Sequence, residues 1–138
     1  MMVLVDTPVW SLALRRKTVN LSAQEMKITL LLQELVRDSR AELLGSVRQE
    51  LLSGIRDEAQ FRRIRDHLRG FADVSLQIED FEEAAAINNR CRGSGVAGSA
   101  VDMLICSISL RHGWQIFTTD RDFFHYAKVV PIQLFSAP

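Results

Sequence analysis

Cysteine is scarce in this chain, with only Cys91 and Cys106 among 138 residues. The two lie far apart and match neither a zinc-binding nor a dithiol redox spacing. They read as reduced thiols of a cytoplasmic protein. Histidine is equally thin: His67, His112 and His125 form no H-x-x-x-H pair, and are expected at the surface or at helix ends. Long apolar runs are missing. None approaches the roughly 18 to 20 residues of a membrane span, and the opening apolar run stops at Asp6 without a basic lead, so no signal peptide is expected from it. An excess of either charge is also absent, since 17 Lys plus Arg balance 17 Asp plus Glu. That excludes a strongly basic nucleic-acid coat but leaves local patches open. The glycine-bearing stretch from Gly93 to Gly98 lacks the Lys of a phosphate loop. There are no repeats, low-complexity tracts or obvious linkers, so residues 1–138 are expected to form one domain.

What is present is an alternation of short apolar runs with amphipathic stretches. Residues 2–5 form an unbroken apolar run, as in a strand buried on both faces. Thr7-Pro8 then reads as a helix start, with Thr7 at the N-cap and Pro8 at the first helical position. That helix reaches about Arg15, and the basic Arg15-Arg16-Lys17 that follows suits the negative end of a helix dipole better than a phosphate backbone. Ser22-Ala23-Gln24-Glu25 is a capping box. The helix it opens is broadly apolar through Val36, so the 22–39 region suits core packing and is also a candidate partner surface. Residues 41–44 read as a second strand, followed by a capping box at Ser46 with Glu50 in the next turn. Helices are predicted over 57–69 and 79–92, the latter with Phe81, Ala84, Ala85 and Ile87 inward, and a third strand over 72–76. Ser99 caps a nearly all-apolar helix with Asp102 in its first turn, and Gly113 ends it. Residues 114–119 form a clear strand, exiting into Asp120-Arg121-Asp122. A final strand over 129–134 is placed at an edge by Pro131. The alternation predicts an α/β domain with a mainly parallel sheet.

In such a sheet the carboxyl ends of the strands share one edge, where ligands bind. Asp6 and Asp120 leave strands there. A helix running antiparallel to the strands begins at the same side, which brings Asp102 to it, and Glu50 starts soon after the second strand. Each acid alone is a common helix-start residue. Together they would repel one another, and a hard divalent cation with oxygen ligands, Mg²⁺ or Mn²⁺, is the usual remedy. The absence of a histidine or thiol in the set argues against zinc. Such a site suits phosphodiester hydrolysis.

The chain resembles the PIN-domain ribonucleases, in particular the VapC-type toxins of bacterial toxin–antitoxin pairs. The resemblance rests on Val3-Leu4-Val5-Asp6-Thr7-Pro8-Val9-Trp10, on Gln49-Glu50-Leu51-Leu52-Ser53-Gly54, and on Asp102-Met103-Leu104-Ile105-Cys106 together with Thr118-Thr119-Asp120-Arg121-Asp122-Phe123. It runs over essentially the whole chain in the right order and spacing. It implies metal-binding, catalytic acids at Asp6, Glu50, Asp102 and Asp120, with Asp122 as an accessory ligand. It also implies an endoribonuclease acting on RNA, a homodimer, and an antitoxin that covers the active-site groove, with the 22–39 region as a usual antitoxin-binding surface. Ser53 departs from the pattern, standing where many members carry an aromatic.

Other classes fit less well. A haloacid-dehalogenase-type phosphatase needs a second acid two residues after the first, where this chain has Pro8. A receiver domain needs an acidic pair near the first strand, and Asp6 has no adjacent acid. The alternative that remains is a non-catalytic RNA- or protein-binding module on a PIN-like fold, which metal-dependent RNA cleavage would separate from an enzyme.

Overall fold

The computed structural model describes residues 1–136. At its centre is a short parallel sheet in the order β2-β1-β3, made of β1 (Val3–Val5), β2 (Ala41–Glu42) and β3 (Gln115–Phe117). Val3 pairs with Ala41 on one side and with Gln115 on the other. Val3, Leu4 and Val5 are wholly buried, as the unbroken apolar run requires of a central strand. Parallel neighbours need crossover connections, and helices supply them: α1 (Thr7–Leu14) and α2 (Ala23–Arg37) between β1 and β2, then α3 (Gly45–Leu52), α4 (Glu58–Leu68), α5 (Ile78–Gly93) and α6 (Ala100–His112) before β3. A short α7 (Asp122–Tyr126) follows. No described helix is long and apolar enough to cross a membrane.

Several boundaries differ from the sequence-based expectation. The N-cap of α1 is Asp6, not Thr7: its backbone is extended and its Oδ1 accepts from the Thr7 N–H at 2.8 Å. Helix α3 begins at Gly45 after Leu44, with no side-chain cap. Ser46 is therefore inside the first turn and makes no capping box. Residues 72–76 are not a strand but a single parallel bridge between Leu43 and Asp73. Farther along, the Ser75 carbonyl accepts from the Arg111 side chain at 3.0 Å in place of a ladder partner, while Arg48 holds the approach to the segment, donating to the carbonyls of Leu68 and Phe71 at 2.9 and 2.6 Å and to the Asp73 carboxylate at 2.9 Å. The predicted last strand, 129–134, is likewise reduced to one bridge, Ile116 with Leu134. The N–H groups of Val129 and Val130 turn back to the Tyr126 carbonyl instead, and Pro131 has no N–H to offer.

The α2 capping box is present as expected, with Ser22 and Glu25 reciprocally bonded. Thr29, Leu32 and Leu35 face the core, while Leu30 and Val36 stay exposed. The basic cluster at the end of α1 is exposed, and its Arg16 reaches Glu25 at 3.7 Å. All three histidines are exposed, His112 stacking on Trp114 with centroids 3.9 Å apart. Gly113, at φ 69°, supplies the left-handed turn that ends α6.

Helix α5 is rotated relative to expectation. Its buried positions are Asp80, Ala84, Ile87 and Cys91, which leaves Phe81 and Ala85 exposed. The cause is Asp80, which is only 1% exposed and receives a bidentate bond from Arg111 of α6 at 2.5 and 2.8 Å. Burial pulls the Asp80 carboxyl up, but the bonds from Arg111 and the Gln77 N–H, with the guanidinium charge, outweigh it and leave it below the ordinary value. A depressed carboxylate stabilises the fold above its unfolded pKa, and that contribution fades as pH falls through the folded value. Arg111→Met should therefore cost about 3–5 kcal/mol at neutral pH, because it strands a buried charge, with the deficit shrinking below about pH 4. Urea unfolding of both proteins at pH 7 and pH 3.5 measures it.

Candidate active site

The carboxyl ends of β1 and β3 and the first turns of α1, α3 and α6 surround one groove of about 790 Å³. Asp6, Glu50, Asp102, Asp120 and Asp122 all line it. No lysine or arginine does, among the described residues.

Each acid has a local reason to be there. Asp6 ends β1 and caps α1, and is 4% exposed. Its Oδ1 holds the Thr7 N–H, and its Oδ2 accepts from the Thr118 hydroxyl at 2.8 Å. The same hydroxyl oxygen accepts from the Asp120 N–H at 3.0 Å, and Asp120 Oδ1 accepts from the Asp122 N–H at 2.9 Å. The exit of β3 is thus folded back against the exit of β1. Asp102 is in the first turn of α6, where Ser99 caps its N–H at 3.0 Å. Glu50 lies on the exposed rim of α3, its Oε1 accepting from the Thr7 hydroxyl at 2.6 Å. Thr7 is free to make that bond because Asp6, not Thr7, does the capping.

One ligand oxygen from each of Asp102, Asp120 and Asp122 lies within 4.8 Å of the others. Asp6 and Glu50 line the same groove but stand outside that tight triplet. Burial pushes the Asp6 carboxyl up to about 6, against the lowering bonds from Thr118 and Thr7, and the charges of Asp102 and Glu50 add to the rise. Burial also raises Asp102; bonds from Tyr126 and Ser99 oppose it, and the charges of Asp120 and Glu50 reinforce it. A groove of oxygen donors, crowded with negative charge and lined by no cationic side chain, fits a hard divalent cation.

Sequence reasoning missed two groups. Thr118 joins Asp6 to Asp120, and its signal was the Thr118-Thr119 pair ahead of the strand-exit acid. Tyr126 donates its hydroxyl to Asp102 Oδ2 at 2.7 Å. It is the sole tyrosine of the chain and follows Asp122 by one helical turn, a spacing that puts both on one face.

A carboxylate raised in the folded state favours folding at pH values below its unfolded pKa, and that contribution is lost as pH rises through the folded value. For Asp6 the window runs from 3.8 to about 6. Without metal, wild type at pH 7.5 should therefore carry a penalty on the order of 3 kcal/mol that Asp6→Asn escapes, since Asn caps a helix as well as Asp does. Thermal melting in EDTA should show the variant several degrees above wild type at pH 7.5, with the two converging at pH 4.5. Added Mn²⁺ should reverse the order, because wild type gains binding energy that the variant lacks.

Comparison with known proteins bears on the family and the fold. The PIN domain family model matches residues 3–129. Ribonuclease VapC11 of Mycobacterium tuberculosis is 29% identical over 134 residues, 96% of each chain. Among solved structures, FitAcB from Neisseria gonorrhoeae superposes with a TM-score of 0.75 at 19% identity, over 98% of this chain and 97% of that one. A toxin–antitoxin complex from Klebsiella pneumoniae gives 0.67 at 16% identity, over 96% and 99%. The parallel sheet, the acids at its carboxyl edge and a family match over nearly the whole chain place this protein in the PIN-domain family.

Proposed function

We propose that this chain is a metal-dependent endoribonuclease, hydrolysing RNA phosphodiester bonds as the toxin of a type II toxin–antitoxin pair. The observation that carries this reading is the convergence of five carboxylates on one groove lined by no cationic side chain. Asp6, Glu50, Asp102 and Asp120 hold Mg²⁺ or Mn²⁺ in this reading, with Asp122 assisting. When bound, such an ion polarises a phosphate oxygen and lowers the pKa of bound water. The chain's own contribution is placement. Asp6 is held by Thr7 and Thr118, Asp102 is anchored in a buried helix, and Glu50 on the open rim meets incoming substrate first. The ribonuclease name of the mycobacterial relative supports RNA as the substrate. Single-stranded segments suit an open groove, since their bases can be splayed apart.

The likeness to a toxin–antitoxin complex supports a protein partner, and a basic segment of an antitoxin suits the acidic groove. A single nuclease unit over the whole chain, working in the cytoplasm as a homodimer, completes the reading. For the dimer, α5 is a better candidate than α2. It exposes Ile78 and Phe81 at 75% and 54%, with acids (Glu79, Glu82, Glu83) toward one end and Arg90 and Arg92 toward the other. An antiparallel pairing of two α5 helices would set opposite charges together.

Purified protein should cut single-stranded RNA with Mg²⁺ or Mn²⁺ and stop in EDTA, while Asp102→Asn should fold normally and cut at background. Full cleavage after metal removal in excess chelator would sink the metal mechanism. A folded protein that binds RNA but never cuts it under any metal would favour the binding-module alternative. Light scattering should find a dimer that Phe81→Glu converts to a monomer; a dimer that survives the change pairs through another surface.

A further inference from the structure

We infer that Tyr126 is a positioning residue for the acid cluster, fixing the Asp102 carboxylate and the spacing between α6 and α7. The inference rests on the metal-dependent reading above and adds a role for a residue outside the carboxylate set. Tyr126 is wholly buried, packed edge-on against Phe123 with ring centroids 5.0 Å apart. Its ring therefore has a defined place before its hydroxyl does anything. That hydroxyl donates to Asp102 Oδ2 at 2.7 Å, which restrains rotation of the carboxylate about its Cβ–Cγ bond. The bond also crosses between elements. Asp102 belongs to α6, whereas Asp120 and Asp122 stand at the entrance of α7, whose last residue is Tyr126. A single contact thus ties together the two supports that carry the close carboxylate triplet.

The approach of Tyr126 has been given room. A Cβ built on Gly98 would lie 2.9 Å from the Tyr126 hydroxyl and 2.5 Å from Met103 Cε. The methionine tip is flexible and can yield. The tyrosine is held by its ring packing and by Asp102, so a methyl group at position 98 crowds the donor of the same hydrogen bond. Two separate positions in the chain therefore converge on one contact, and each offers an independent way to disturb it.

Groups that orient metal ligands typically carry a 10- to 100-fold effect on affinity or activity. The test uses Mn²⁺ alone as the probe, titrated by calorimetry into wild type, Tyr126→Phe and Gly98→Ala, beside RNA cleavage at rising Mn²⁺. Tyr126→Phe keeps the ring and removes only the hydroxyl. The expected result is roughly 10-fold or more weaker Mn²⁺ binding with an unchanged KM for RNA, a fold intact by circular dichroism, and recovery of most of kcat at saturating Mn²⁺. Gly98→Ala should move affinity the same way. Wild-type Mn²⁺ affinity in both variants would overturn the inference and leave the nuclease reading standing. Loss of kcat that saturating Mn²⁺ fails to restore also overturns it, since that pattern marks a general structural defect. No Mn²⁺ binding by wild type would overturn the metal reading, and this inference with it. If Tyr126→Phe fails to fold, the Gly98→Ala affinity decides alone.

Discussion

Everything in this molecule is hung on the burial of β1. Three apolar residues with no solvent exposure hydrogen-bond on both edges to parallel neighbours. A strand in that position cannot also carry a charge along its length, so its first polar side chain falls where it leaves the sheet. That side chain is Asp6. Its buried carboxylate must then be satisfied locally, and it is, by the N–H of the helix it starts and by the hydroxyl of the neighbouring strand's exit. The desolvation that drives the core together is thus the same force that raises the Asp6 pKa and makes the groove receptive to a cation.

Much of this was legible in the residues, because burial and polarity alternate with sharp boundaries. The β1 run, the Ser22 and Ser99 caps and the Gly113 stop each have a local physical cause, and each appears in the structure at its expected place. The meeting of the acids at one edge also followed, since a parallel sheet leaves little freedom in where its strand ends lie. What did not follow were outcomes decided by distant partners. Residues 72–76 have the composition of a strand, yet the Ser75 carbonyl goes to Arg111, from α6, and the Asp73 carboxylate to Arg48, from α3. Hydrophobicity alone places Phe81 and Ala85 inward. Instead Asp80 turned inward, because Arg111 waits 31 residues away. A pattern of apolar spacing cannot register a buried ion pair.

The same limit applied at the site. Acids are visible in a sequence by type, but the hydroxyls that orient them are not. Thr7, Thr118 and Tyr126 acquire meaning only from what they face: Glu50, Asp6 and Asp102 respectively. These three bonds spread the restraint of the groove over α1, the exit of β3 and α7. The cluster is accordingly a property of the assembled core and not of any one loop.

The two cysteines give that assembled core a built-in clock. Cys91 and Cys106 are wholly buried on α5 and α6, and burial pushes both thiols above their ordinary acidity range. Neither is therefore open to a soluble alkylating reagent in the closed protein. Cys106 stands one helical turn beyond Asp102, so the rate at which it becomes labelled reports how often the helix carrying that carboxylate leaves its packing. Opening of the framework that carries the acids can be followed at native concentration, with no engineered label.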